Sequence, residues 1–236
     1  MKYLLLFISL FIISNNSFAQ MSFLHIYDED IKMSKLKKLA KKNNSDAQCE
    51  LGVRYYSDKN NHKKALYWWK KAAEQDNEIA QFHLGQYYLY YSDDTIKSKI
   101  GFDLVVKSAE KGFELSQMLL ARYYLSGYYF IPGIYVEKIV DLDKGLQYLN
   151  MAIEKGHNDA KFVLGNCYAN IDEIKDMNKA FYWWKEAAKY GHDKSIQKLN
   201  EFNQEIPERE YEKALHKFHG SPIPHEFFKT NIQSIR

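Results

Sequence analysis

Small and apolar residues recur along this chain at helical spacing, and the same arrangement returns several times. Ala47, Leu51, Gly52 and Tyr55 stand at i, i+4, i+5 and i+8, one face of a 3.6-residue period. The set returns as Ala80, Leu84, Gly85 and Tyr88, and as Ala160, Leu164, Gly165 and Tyr168, with a weaker copy at Ser116, Leu120, Ala121 and Tyr124. A second pattern, Ala65-Leu66-Tyr67-Trp68-Trp69-Lys70-Lys71-Ala72-Ala73, returns as Ala180-Phe181-Tyr182-Trp183-Trp184-Lys185-Glu186-Ala187-Ala188. Its apolar members Ala65, Leu66, Trp69, Ala72 and Ala73 also share one helical face. The first pattern starts at 47, 80, 116, 160 and 195, and the second at 65, 101, 145 and 180, so both keep one register. Each repeat therefore reads as a helix, a loop, a second helix and a tight turn.

The turn falls at Asp76, Gly112, Gly156 and Gly191, where glycine suits a left-handed helix C-terminus. Gly52, Gly85, Ala121 and Gly165 are small where the first helix is expected to meet the second. Glycine inside a helix costs about 1 kcal/mol against alanine, so close packing is the predicted compensation. Trp69, Val105, Leu149 and Trp184 occupy one second-helix position and are predicted core. Leu36, Leu39 and Ala40 match the end of a second helix, and Ser195 to Phe202 starts a further first helix without its Gly and Tyr. Pro207, with Tyr211, Leu215 and Phe218 on one face, suits a final capping helix.

The expected fold class is all-α: a right-handed α/α solenoid of four to five helix-turn-helix repeats with capping helices at both ends. Its parts are a signal peptide over 1–19, a lead-in over 20–34, the solenoid over 35–202, a capping helix over 203–219 and an extended tail over 220–236. The signal reading rests on Lys2, the apolar run Leu4 to Ile13 and the small residues of Ser17-Phe18-Ala19. The run is about half a bilayer-spanning length, so cleavage after Ala19 is expected rather than a retained anchor. No membrane insertion after cleavage is expected, and periplasmic residence is.

Composition narrows the partner. The 33 basic and 30 acidic residues leave a net charge of +3, too balanced overall to imply nucleic acid or a membrane surface. The local run Lys35, Lys37, Lys38, Lys41 and Lys42 reads as the solvated face of a helix, with a phosphate-binding patch as the alternative. The 19 tyrosines are unusual. Cys49 and Cys167 lie three repeats apart, and stacked helices sit about 10 Å apart. That exceeds the ~7 Å Cα separation a disulfide allows, so two buried free thiols are expected.

Catalytic constellations are lacking: no Gly-x-Ser-x-Gly, no His-Glu-x-x-His and no phosphate-binding glycine loop occurs. His216, His219 and His225 read as solvated or capping residues, and no metal or cofactor is expected. Glu74, Glu110 and Glu154 recur at one repeat position, which marks a repeated surface site. No enzymatic activity is predicted.

The patterns Ala-x3-Leu-Gly-x2-Tyr and Lys-Ala-x2-Trp-Trp-x-Lys-Ala-Ala resemble the Sel1-like repeat family, relatives of the tetratricopeptide repeat, over about Lys35 to Phe202. The family's Gly-x-Gly-Val loop between the helices is absent: Ser57-Asp58-Lys59-Asn60-Asn61 stands there in the first repeat. The resemblance implies a monomeric adaptor whose inner face binds a protein or peptide, and some bacterial relatives are immunity proteins against secreted toxins. By the tetratricopeptide analogy the partner-binding face takes Val53 and Tyr56; Phe82, Gln86 and Leu89; Met118, Arg122 and Leu125; and Phe162 and Asn166. For Phe82, Met118 and Phe162, core packing is an equal alternative. The third repeat is longer than the others, and its insertion within 127–141 is rich in aromatics. Tyr128, Tyr129, Phe130 and Tyr135 join the predicted binding set. An envelope scaffold, an exported host-interaction factor and a cell-wall-acting enzyme are the competing readings.

Overall fold

A computed structural model describes residues 31–58, 61–92, 94–126 and 140–203. All regular structure among them is helical: α1 Met33–Lys41, α2 Ser45–Ser57, α3 His62–Ala73, α4 Glu78–Tyr91, α5 Thr95–Glu110, α6 Glu114–Ser126, α7 Leu142–Glu154, α8 Asn158–Asn170, α9 Met177–Ala188 and α10 Asp193–Asn203. A short 3-10 turn, Asp172–Ile174, precedes α9. The helices alternate as the two sequence patterns require, with the first-helix pattern on α2, α4, α6 and α8. The opening helix starts at Met33, slightly before the expected boundary. The signal segment, the 127–139 part of the insertion, the capping helix around Pro207 to Phe218 and the tail lie outside the described residues.

The chain divides into two compact units, residues 1–160 and 161–236. In the first, α2 packs on α1 and α3, α4 on α3 and α5, and α6 on α5 and α7. Each of these first helices is thus held between two second helices. In the second unit α9 packs on α10.

The turns between repeats are built from one device. Asp76 (φ +63°), Gly112 (+92°), Gly156 (+87°) and Gly191 (+76°) are all left-handed, and Asn43 (+66°) supplies a fifth that the pattern search missed. At each, the following residue's N–H reaches back to the helix: Asn44 to Leu39 O, Asn77 to Ala72 O, Phe113 to Ser108 O, His157 to Ala152 O and His192 to Ala187 O. This is the double-bonded C-terminal motif that satisfies a helix's last carbonyls. At three of these turns the same following residue then caps the next helix. Asn44 Oδ1 accepts from Ala47 N, Asn77 Oδ1 from Ala80 N and His192 Nδ1 from Ser195 N. Lysines brace the turns from the next repeat: Lys111 Nζ donates to Asp76 O, and Lys155 Nζ to Gly112 O.

Gly156 gives a clean measure of the left-handed requirement, because an added Cβ there would meet nothing within 4 Å. Gly156→Ala should lower stability by about 1 kcal/mol from backbone strain alone. Gly156→Asn should cost less, since asparagine already holds this conformation at position 43. Urea unfolding followed by circular dichroism would read both changes, and a harmless alanine would refute this account of the turn.

The core follows the small positions. Trp69, Val105, Leu149 and Trp184 are fully buried. A Cβ on Gly52 would lie 2.2 Å from Trp69 Cδ1, one on Gly165 2.5 Å from Trp184 Cδ1, and one on Gly85 2.7 Å from Gly101 O. Glycine is present because the facing helix occupies the space. Buried glutamines add a polar clamp, with Gln48 Nε2 donating to Ala40 O and Gln117 Nε2 to Ala109 O. Each ties a first helix to the end of the second helix before it.

Candidate interaction surface

The two-sided packing of the first helices corrects the predicted binding face. Val53, Leu89 and Leu125 are buried core, not open groove, and Phe82 and Phe162 take the core alternative. Phe82 rings against Phe113 at 5.2 Å and Phe162 against His192 at 4.8 Å. Asn166 is buried too, its Oδ1 accepting from Trp184 Nε1 at 3.0 Å. The physical reason is that a helix between two neighbours keeps only a narrow strip for solvent. Tyr56, Gln86, Met118 and Arg122 lie on that strip, half-buried. Tyr128, Tyr129, Phe130 and Tyr135 fall outside the described residues.

Around the retained positions of the first unit, tyrosines gather at the C-terminal ends of the first helices. Tyr56 stacks on His62 with ring centroids 4.7 Å apart and planes at 10°. Tyr87 meets Tyr56 edge-on at 6.2 Å and lies 5.2 Å from Tyr91, which is 63% exposed. Next along, Arg122 Nη2 donates to Tyr90 Oη at 2.5 Å. Phe102, Tyr123, Tyr124 and Tyr148 continue the aromatic edge, Tyr124 and Tyr148 stacked at 6.0 Å. Burial, and then a hydrogen bond with Tyr91, push the Tyr56 hydroxyl well above the usual phenol range. Burial raises Tyr123 and Tyr148 as well. These phenols stay neutral and keep their O–H donors throughout the physiological range. The sequence offered a signal for this edge in its pairs Tyr55-Tyr56, Tyr87-Tyr88, Tyr90-Tyr91 and Tyr123-Tyr124, each closing a first helix. The third-repeat insertion leaves from the same edge, and Asp141 N donates to Tyr124 O where the chain returns.

Both cysteines are buried free thiols. Burial raises Cys49 well above the thiol range, and burial pushes Cys167 up to about 12. Protonated and enclosed, they make poor nucleophiles. In the folded protein at pH 8 neither should react with a thiol-specific chromogenic reagent over hours, and both should react at once in denaturant. Rapid native labelling of either would contradict the packing. Among the described residues no three of His, Cys, Asp and Glu gather as a metal site. Glu74, Glu110 and Glu154 are surface residues.

Paired helices with glycine at the seam, a left-handed residue closing each pair and an aromatic edge define a helical-hairpin repeat protein, a class that presents extended binding surfaces. The chain belongs to the Sel1 repeat family, whose pattern matches residues 45–77, 79–118, 119–157 and 159–192. Sel1 repeats generally mediate protein–protein interaction. The chain is 28% identical over 156 residues to chitin synthase regulatory factor 4 of Schizosaccharomyces pombe, covering 63% of this chain and 22% of that protein. It thus spans about a fifth of that relative's length. Among solved structures it is similar to a protective antigen of uropathogenic Escherichia coli with an SLR fold, at TM-score 0.59 and 26% identity, covering 72% of this chain and 36% of that one. It is also similar to a Sel1 repeat protein from Oxalobacter formigenes, at TM-score 0.61 and 24% identity, covering 78% and 76%. The latter likeness supports the fold. No helix among the described residues is long and apolar enough to cross a membrane.

Proposed function

We propose that the protein is an exported, non-enzymatic interaction module that holds a protein partner against the tyrosine edge of its first unit. The observation that carries this is the joined cluster of Tyr56, His62, Tyr87 and Tyr91, beside which Arg122 donates to Tyr90 of the same helix end. Tyrosine combines large contact area with a hydroxyl donor and few torsions to freeze, and arginine is enriched beside it in protein interfaces. Export and periplasmic residence rest on Lys2, the run Leu4 to Ile13 and Ser17-Phe18-Ala19. The fungal relative's name gives that protein a regulatory role, and acting through a bound partner is the mode proposed here. The sharper form, carried over from the family resemblance, is an immunity protein whose partner is a secreted antibacterial toxin.

The test is capture from periplasmic extract with the C-terminally tagged full chain and a Gln86→Ala, Tyr91→Asp, Arg122→Ala variant of matched helicity. One protein bound stoichiometrically by the wild type and lost by the variant is the expected result. Equal capture by both would remove the tyrosine edge from the reading. A captured toxin whose activity the wild type suppresses would establish the immunity form.

A further inference from the structure

The overall charge balance conceals a one-signed face. Helices α1 and α3 each carry four lysines and no aspartate or glutamate. All eight lysines are exposed. The flanking acids Asp46, Asp58 and Glu74 lie outside both helices, and the one carboxylate in the middle of the intervening helix, Glu50, is buried and held by Arg54 at 2.7 Å. The two helices are brought together over α2. Trp68 of α3 packs with the cluster of Leu36, Ala40 and Leu51, and Lys37 and Lys64 approach the single ring of Tyr55 at 5.9 and 5.3 Å. Aromatics punctuate the lysines. Tyr67 is 51% exposed and meets half-buried Trp68 edge-on at 5.1 Å.

We propose that this face adsorbs to the surface of a bilayer containing anionic lipid, with the lysines among the headgroups and Tyr67 and Trp68 at the level of the glycerol backbone. Three features select that occupant. Every cation on the two helices is a lysine, a compact point charge suited to mobile headgroups. A docked carboxylate or a base edge is usually met by the planar fork of arginine. The exposed ring of Tyr67 is attended by a lysine rather than paired with a second open ring for a base to slot between: Lys71 Nζ stands 5.1 Å over Tyr67 and 6.0 Å over Trp68, and Lys37 and Lys64 attend Tyr55. Tyrosine and tryptophan flanked by lysine are also the residues that settle at membrane–water interfaces. The contact is peripheral and electrostatic, so it falls with salt. It uses the lysines of α1 and α3 with Tyr67 and Trp68, whereas the proposed partner edge uses Tyr56, His62, Tyr87, Tyr91 and Arg122, so the two contacts do not compete for side chains.

The experiment is sedimentation of the full chain with vesicles of mixed phosphatidylcholine and phosphatidylglycerol, and with vesicles of phosphatidylcholine alone, which report any contribution of the apolar N-terminal run. A Lys38→Gln, Lys41→Gln, Lys63→Gln, Lys70→Gln variant is compared with a Lys99→Gln, Lys107→Gln, Lys175→Gln, Lys194→Gln variant of equal net charge. The wild type and the second variant should bind the anionic vesicles and be released by high salt. The first variant should bind at least about tenfold more weakly. Tyr67→Ser should weaken binding several-fold without changing its salt dependence. Equal binding by the two lysine variants, equal binding to both vesicle types, or no binding at all would overturn the proposal. So would a single-stranded oligonucleotide or polyglutamate bound through the same lysines while the vesicles are ignored.

Discussion

Gly52→Ala should destabilise the first unit by about 2–3 kcal/mol, although the same exchange in an open helix gains about 1 kcal/mol. The sign is the diagnostic part. A Cβ on Gly52 would stand 2.2 Å from Trp69 Cδ1 and 2.3 Å from Nε1, inside any permitted contact, and Trp69 is fully buried. Either the indole or the helix must move, and both are enclosed between neighbours. The chain contains its own control. In the third repeat the glycine position is Ala121 and the tryptophan position is Leu149. Gly52→Ala combined with Trp69→Leu should therefore lose less than the two single changes summed, by about 1 kcal/mol or more. Urea unfolding of all four proteins, followed by circular dichroism, measures the coupling. A stabilised Gly52→Ala, or strict additivity, would show that the close approach does not govern this seam.

The second large effect is expected in the other unit. Trp184→Ala should cost about 3–5 kcal/mol, the range for removing a large buried aromatic side chain. Trp184 is fully buried, packs edge-on against Phe181 at 5.7 Å, and donates to buried Asn166. Truncation removes both the packing and the donor, leaving the Asn166 carbonyl oxygen enclosed. Trp184→Phe separates the two contributions by keeping most of the ring and losing the N–H, and should cost about 1–3 kcal/mol. The exposed counterpart Tyr67→Ala should stay within about 0.5 kcal/mol of wild type. A mild Trp184→Ala, comparable with Tyr67→Ala, would mean that residue 184 is not the centre of its unit.

The register, the small seam residues, the buried second-helix position held by Trp69, Val105, Leu149 and Trp184, and the left-handed turn residues were legible in the sequence because each depends on local spacing and its position returns from repeat to repeat. Val53, Leu89 and Leu125 read as groove, and Phe82 and Phe162 as either groove or core, because periodicity shows one helix at a time. Enclosure depends on how many helices surround it. A signal of that enclosure was present, however: Glu78–Tyr91 has no continuous polar stripe, as expected of a helix covered on several sides, and Gln81-Phe82-His83-Leu84-Gly85 is indeed buried without interruption. The union of α1 and α3 lysines into one face was beyond sequence reach, since the two groups are separated by a helix carrying acidic residues. Asn43 stood outside the turn pattern because asparagine occupies it, whereas three of the four turns read from the pattern carry glycine.

The shared residue between repeats also governs where the chain tolerates a change of length. From a second helix to the next first helix, the left-handed residue and its follower end one element and begin another, leaving no slack in which to add or drop a residue. The opposite connections run from Ser57 to His62, Tyr91 to Thr95, Ser126 to Leu142 and Asn170 to Met177, and differ widely in span. Within the first unit, changes of length therefore fit best at the edge where the tyrosines gather. Loop length at that edge is free to vary while the opposite edge keeps its cadence, and an altered loop there leaves the helix pairing of the unit intact.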